Sequence, residues 1–175
     1  MGPFASYIHK IISESGYFYR VKPYQNELTS ATAFVITGMS VKIKTQVMVN
    51  DQFNYLLVAS YSKYDYEITD DFINAINSFN LTASPGTKFF YVKNESNIYA
   101  MIQLFISGSY PEKKFFMDTL HYSVRSLKEV ISKLDEYKSN NWTHVPWRHS
   151  SEQQDDLPFW EGPLLNIPRF RFIEQ

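Results

Sequence analysis

One candidate strand constrains this chain more than any other segment. Residues 98–106 read IYAMIQLFI, with Ile98, Ala100, Ile102, Leu104 and Ile106 at alternate positions and Tyr99, Met101 and Phe105 between them. Successive side chains of a strand point to opposite faces, so both faces of this one are apolar and both need cover. A polar tip, Asn94-Glu95-Ser96-Asn97, joins it to residues 88–92 and predicts a hairpin.

The remaining segments supply neighbours for that strand. Residues 17–21 predict a short strand that Pro23 ends or confines to a sheet edge, and residues 33–36 begin a second apolar stretch that Gly38 interrupts. Val41, Ile43, Val47 and Val49 fall at odd positions, with Lys42, Lys44 and Gln46 between them, the pattern of a strand with one wet face. Asn50-Asp51 marks a turn before a third long strand at 53–61. Three stretches have helical period instead. Phe4, Ile8, Ile11 and Ile12 form one face of a first helix that Gly16 stops. Thr69 is a candidate N-cap, with Asp70 and Asp71 in the favourable first turn and Phe72, Ile73, Ile76 and Phe79 as the buried stripe. Ser109-Tyr110-Pro111-Glu112 fits a capping box. It opens a helix over 111–137, about 40 Å long, that buries Met117, Leu120, Val124, Leu127, Ile131 and Leu134.

These elements predict an α+β fold in the order α-β-β-β-α-β-β-α, an antiparallel sheet of about five strands with helices packed on one face. Residues 1–141 form a single domain. Residues 142–175 differ in kind, holding four of the eight prolines and all three tryptophans without a sustained period. The segments 157–160 (LPFW) and 167–172 (IPRFRF) carry too much apolar surface to stay in water. This irregular extension is expected to dock on its own domain or on a dimer mate, with Trp160 and Phe170 as anchors.

Composition removes several functions. The 175 residues contain no cysteine, which excludes a disulfide framework, a thiolate zinc site and a cysteine nucleophile. Seventeen basic residues face eighteen acidic ones, so no global charge draws nucleic acid or an anionic membrane. There is no signal-peptide pattern and no apolar run of about 20 residues, which favours a cytoplasmic protein with no membrane association.

Few side chains suggest chemistry. His144 and His149 lie five apart, with Glu152, Asp155 and Asp156 following, but the spacing matches no helix face and reads as surface histidines in an acidic loop. Asp118 and His121, three apart on the long helix, read as a solvent-side ion pair. Asp65, Glu67, Asp70 and Asp71 cluster between a strand and a helix, where capping and a solvated loop explain them. No phosphate-binding glycine loop, GxSxG elbow or HExxH pair occurs. Lys42 and Lys44 with Tyr55 and Tyr61, or Arg169 and Arg171 with Phe170 and Phe172, offer two charges each, few for nucleic acid. Hence no catalytic, cofactor or metal site is expected, and no cofactor.

The order of elements resembles the type III secretion chaperone-like fold, and within it the YbjN family of bacterial sensory-transduction regulators. The likeness is carried by residues 71–77 (DFINAIN), residues 88–95 (KFFYVKNE), the strand 98–106 and the helix opened at Ser109, and is best over 68–137. The resemblance implies a non-enzymatic protein-binding or regulatory module, homodimeric, with a protein partner of unknown identity. A toxin-neutralising immunity protein is the alternative. Tyr99, Met101, Phe105, Trp160, Phe170 and Phe172 are the candidate interface residues, since aromatic side chains and methionine are enriched at interfaces.

Overall fold

The doubly apolar segment is an inner strand of a six-stranded antiparallel sheet, and among the described residues helices cover only one of its two faces. The computed structural model describes residues 1–25, 30–64, 67–83 and 86–143. Its elements are α1 (Pro3–Ser13), β1 (Phe18–Gln25), β2 (Ser30–Thr37), β3 (Lys44–Asn50), β4 (Tyr55–Lys63), α2 (Asp70–Thr82), β5 (Thr87–Val92), β6 (Asn97–Phe105) and α3 (Lys113–Ser139), with a 3-10 turn, Lys93–Glu95, closing the β5–β6 hairpin. The strand order is β1-β2-β3-β4-β6-β5. Four strands precede α2 where the sequence pattern suggested three, because β1 pairs with β2 along its whole length and Pro23 is tolerated at the sheet edge. Trp160, Phe170, Phe172 and the His144/His149 loop lie outside the described residues, as does Asp65.

All three helices pack on one face. Phe4, Ile8 and Ile12 of α1 meet Phe34, Val47, Val58 and the first turns of α3 in one buried cluster. Phe72 and Ile76 of α2 join Ile98, Ala100 and the second half of α3 in another. Between them runs a buried hydroxyl relay: Ser123 of α3 donates to Ser60 of β4 at 2.9 Å, and Ser60 lies 2.9 Å from Thr45 of β3. Each hydroxyl thus has a partner away from water, as buried polar groups require.

Several local expectations are corrected. No capping box forms at Ser109: α3 starts at Lys113, and its N-cap is Glu112, without a side-chain cap. Tyr110 precedes a proline and is pushed away from helical geometry. It stacks on Phe4 at 4.8 Å, while the Pro111 carbonyl accepts the Tyr7 hydroxyl at 2.8 Å, so contacts with α1 hold this segment outside the helix. Val41 is fully exposed in the loop before β3, and Phe53 lies in the β3–β4 turn rather than in β4. Ile73 of α2 is 47% exposed, and Ala75 takes the buried position. Thr69 does cap α2, accepting from the Phe72 backbone N–H at 3.2 Å.

The first helix borrows its cap. Gly2 at its N-cap has no side chain, and Asp51 of the β3–β4 turn accepts from the backbone N–H groups of Phe4 at 2.7 Å and Ala5 at 3.2 Å. A Cβ at Gly2 would run into the Asp51 carboxylate. The carboxylate also meets the positive end of the helix dipole. Asp51→Ala is expected to lower stability by about 1–2 kcal/mol, read as a lower urea midpoint with an unchanged m-value. Gly2→Ala should also destabilise by displacing the carboxylate. Unchanged midpoints in both variants would show that this cap contributes nothing.

Candidate functional site

The sheet has two faces of different chemistry. Alternation places one set of strand side chains under the helices and the other set on the opposite side. Among the described residues, the cluster on that opposite side contains strand residues alone: Ala33, Met48, Leu57 and Met101 are buried, with Tyr24, Tyr55 and Phe90 packed against them. No described helix packs there.

Pairing register fixes the rows across this face. Phe90, Tyr99, Tyr61 and Lys44 lie side by side on β5, β6, β4 and β3. Rings on neighbouring strands stand opposite one another and stack: Phe90 lies 5.0 Å from Tyr99 at an interplanar angle of 4°, and Tyr61 lies 5.2 Å from Tyr99 at 25°. A second pair, Tyr55 and Phe105, closes to 5.1 Å one strand-end away. The ring planes of the triad therefore face one another.

Charge on the sheet is one-sided. The charged residues of the six strands are Arg20, Lys22, Lys44, Lys63 and Lys88, and every one is basic. All five share the register parity of Met48, Leu57 and Met101, the parity of the face without helices, although Lys63, the last residue of β4, also lines the groove beside α3. Arg20, Lys44, Lys63 and Lys88 are exposed and Lys22 is half-buried. The helix side takes none of them because an unpaired charge in a dry interior is costly. The result is an aromatic and aliphatic field bordered by cations, on a chain whose net charge is −1.

The expected interface residues fall differently on this field. Tyr99 and Met101 belong to it and are buried, Tyr99 completely. Phe105 lies at its margin and is 76% exposed. The Tyr99 hydroxyl donates to the Glu95 carboxylate at the hairpin tip, which also accepts from the Asn97 side chain. Burial first, then this carboxylate, pushes the Tyr99 hydroxyl far above the ordinary phenol range. Burial alone pushes Tyr55 up to about 12. Both remain neutral donors at any physiological pH.

Other sequence candidates separate. Lys44, Tyr61 and Tyr55 share the face, whereas Lys42 is in the loop before β3, its carbonyl accepting from Ser62 at 3.0 Å. The His121 ring nitrogen meets the Tyr17 hydroxyl at 3.0 Å rather than Asp118. Asp70 and Asp71 lie in the first turn of α2. Among the described residues no group of three or more His, Cys, Asp or Glu side chains is placed to hold a metal ion, and no helix is long and apolar enough to cross a membrane. A shallow groove beside α3, lined by Lys42, Ile43, Lys63, Lys128, Ile131 and Asp135, gathers no acid–base pair.

Sequence reasoning missed Arg20, Lys22, Lys63, Lys88, Tyr24 and Phe90 as members of one surface. A signal was available: the strands contain basic residues and no acidic ones. No family model, curated protein or solved structure matches the chain.

The raised tyrosines generate a pH prediction. A phenol held neutral by the fold contributes stability in full below its unfolded value near 10 and loses it as pH rises through the folded value. Stability should therefore fall from about pH 10 towards 12, and Tyr55→Phe should remove part of that fall. An alkaline limb identical in wild type and variant would contradict the assignment.

Proposed function

We propose that this protein is a non-enzymatic binding module, akin to the YbjN regulators, whose helix-free sheet face takes an acidic, aromatic-containing segment of a partner polypeptide. The observation that carries the reading is the gathering of Arg20, Lys22, Lys44 and Lys88 on one aromatic face, with Lys63 at its border. Cations at the margin draw acidic partners and set their orientation. The apolar field supplies desolvated area, in the manner of interface centres that dominate binding energy.

Ring geometry favours a polypeptide over nucleic acid. Base recognition on a sheet uses ring faces turned outward as stacking platforms. Here Phe90, Tyr99 and Tyr61 spend their faces on one another. Ring edges carry partial positive charge, which suits carboxylates more than bases. A symmetric pairing of two copies through this face would oppose cations to cations, so homodimerisation belongs to another surface.

The test uses the full chain and a labelled ten-residue peptide of Asp and Glu interrupted by Phe and Trp. Fluorescence anisotropy should show saturable binding that weakens at least about tenfold between 50 and 500 mM salt, because screening shortens the reach of the cations. The triple variant Lys44→Glu, Lys63→Glu, Lys88→Glu should lose binding while keeping its circular dichroism. Lys128→Glu with Lys133→Glu, on α3, should leave it unchanged. Equal binding by the triple variant, or tighter binding of an oligothymidine than of the peptide, would overturn the proposal.

A further inference from the structure

The basic face has an acidic counterpart in the same chain. Between residues 150 and 168 the charged residues are Glu152, Asp155, Asp156 and Glu161, all acidic, and they bracket Leu157, Phe159 and Trp160. This is the chemistry that the face is suited to bind: carboxylates for the bordering cations and aromatic side chains for the apolar field. From these observations we infer that residues 152–161 occupy the helix-free face in cis and compete there with the partner, so that the module carries its own inhibitor. The inference rests on the reading of the face given under Proposed function.

Chain geometry permits it. The described structure ends at Thr143, just after Trp142, whose ring meets Phe72 at 6.3 Å. Phe72 in turn packs edge-on against Tyr91 of β5, at 5.4 Å, and β5 is an edge strand. The chain thus leaves beside the rim it must round. Eight residues separate Thr143 from Glu152, a reach of about 30 Å when extended, against a sheet-to-sheet layer spacing of about 10 Å. Lys88 and Phe90 of β5, then Tyr99 and Met101 of β6, are the first side chains met on the far side. A short tether of this kind holds its segment at an effective concentration of about a millimolar.

The absence of cysteine gives a clean test. Gln103→Cys places a thiol on the field, half-buried on β6 beside Leu57. Paired with Pro158→Cys in the full chain, it should oxidise to an intramolecular disulfide at least tenfold faster than a control that pairs Pro158→Cys with Glu129→Cys, an exposed position on α3. A second variant keeps the proposal falsifiable should the thiols disturb packing. Glu152→Lys, Asp155→Lys, Asp156→Lys and Glu161→Lys together should free the face and tighten the acidic peptide at least tenfold. Equal oxidation rates with unchanged peptide affinity would overturn the cis occupant while leaving partner binding intact. A disulfide that forms only between chains would do the same and assign the segment to a second copy. A fast intramolecular disulfide with no peptide binding in any variant would leave the segment as a fixed cover and overturn its role as a competitor.

Discussion

The antiparallel joint between β4 and β6 is the contact on which the rest of this structure depends. Nine residues of each strand pair in unbroken register, from Tyr55 opposite Phe105 to Lys63 opposite Asn97. The joint unites a four-stranded meander with a hairpin that arrives only after a helical crossover. It also sets both faces at once. On one side Val58, Ser60, Ala100 and Ile102 receive the length of α3, and on the other Leu57, Tyr61, Tyr99 and Met101 form the centre of the apolar field. A slip of one residue would exchange the two sets and push Lys63 beneath the helices. Burying that unpaired charge is what the register avoids.

The segregation of charge follows from the same constraint. With three helices on one side of the sheet, every charged strand residue has to stand on the other. That explains why the cations leave the helix side, but not why all five carry the same sign. The acidic residues fall instead in the helices, turns and C-terminal extension, as with Asp51 at the start of α1, Asp70 and Asp71 at the start of α2, and Glu95 beside Tyr99. A near-neutral chain can thus present a basic face. Net charge, which argued against anionic partners, hides this separation because it sums over surfaces that no single partner touches at once.

Much of the fold was legible because local periodicity reports burial directly. The stripe of α1, the Thr69 cap, the polar tip before Asn97 and the apolar doubling of β6 were all visible in short windows. The misses share a different physics. Ser109-Tyr110-Pro111-Glu112 has the composition of a capping box, yet tertiary contacts of Tyr110 and Pro111 with α1 override it. The Phe4 N–H in the first turn of α1 finds its acceptor in Asp51, 47 positions away, a partner that no local window connects to it. The basic face was hidden for the same reason. Arg20, Lys44, Lys63 and Lys88 come from four strands, and only the register that aligns those strands makes them neighbours. Of the candidate interface residues, Tyr99, Met101 and Phe105 were read from the pattern of a single strand, and the structure places them on this face.

Methionine methyl resonances offer the most direct measurement of which face does the binding. The chain has five methionines. Met48 and Met101 lie in the helix-free field, whereas Met39 and Met117 pack against the core beneath the helices. Labelling the methyl groups with carbon-13 and titrating the full chain with the acidic aromatic peptide reports both sides in one experiment. The predicted result is that the Met48 and Met101 signals move with saturation while those of Met39 and Met117 hold their positions. Saturable binding that moves Met39 or Met117 and leaves Met48 and Met101 in place would contradict the assignment of this face.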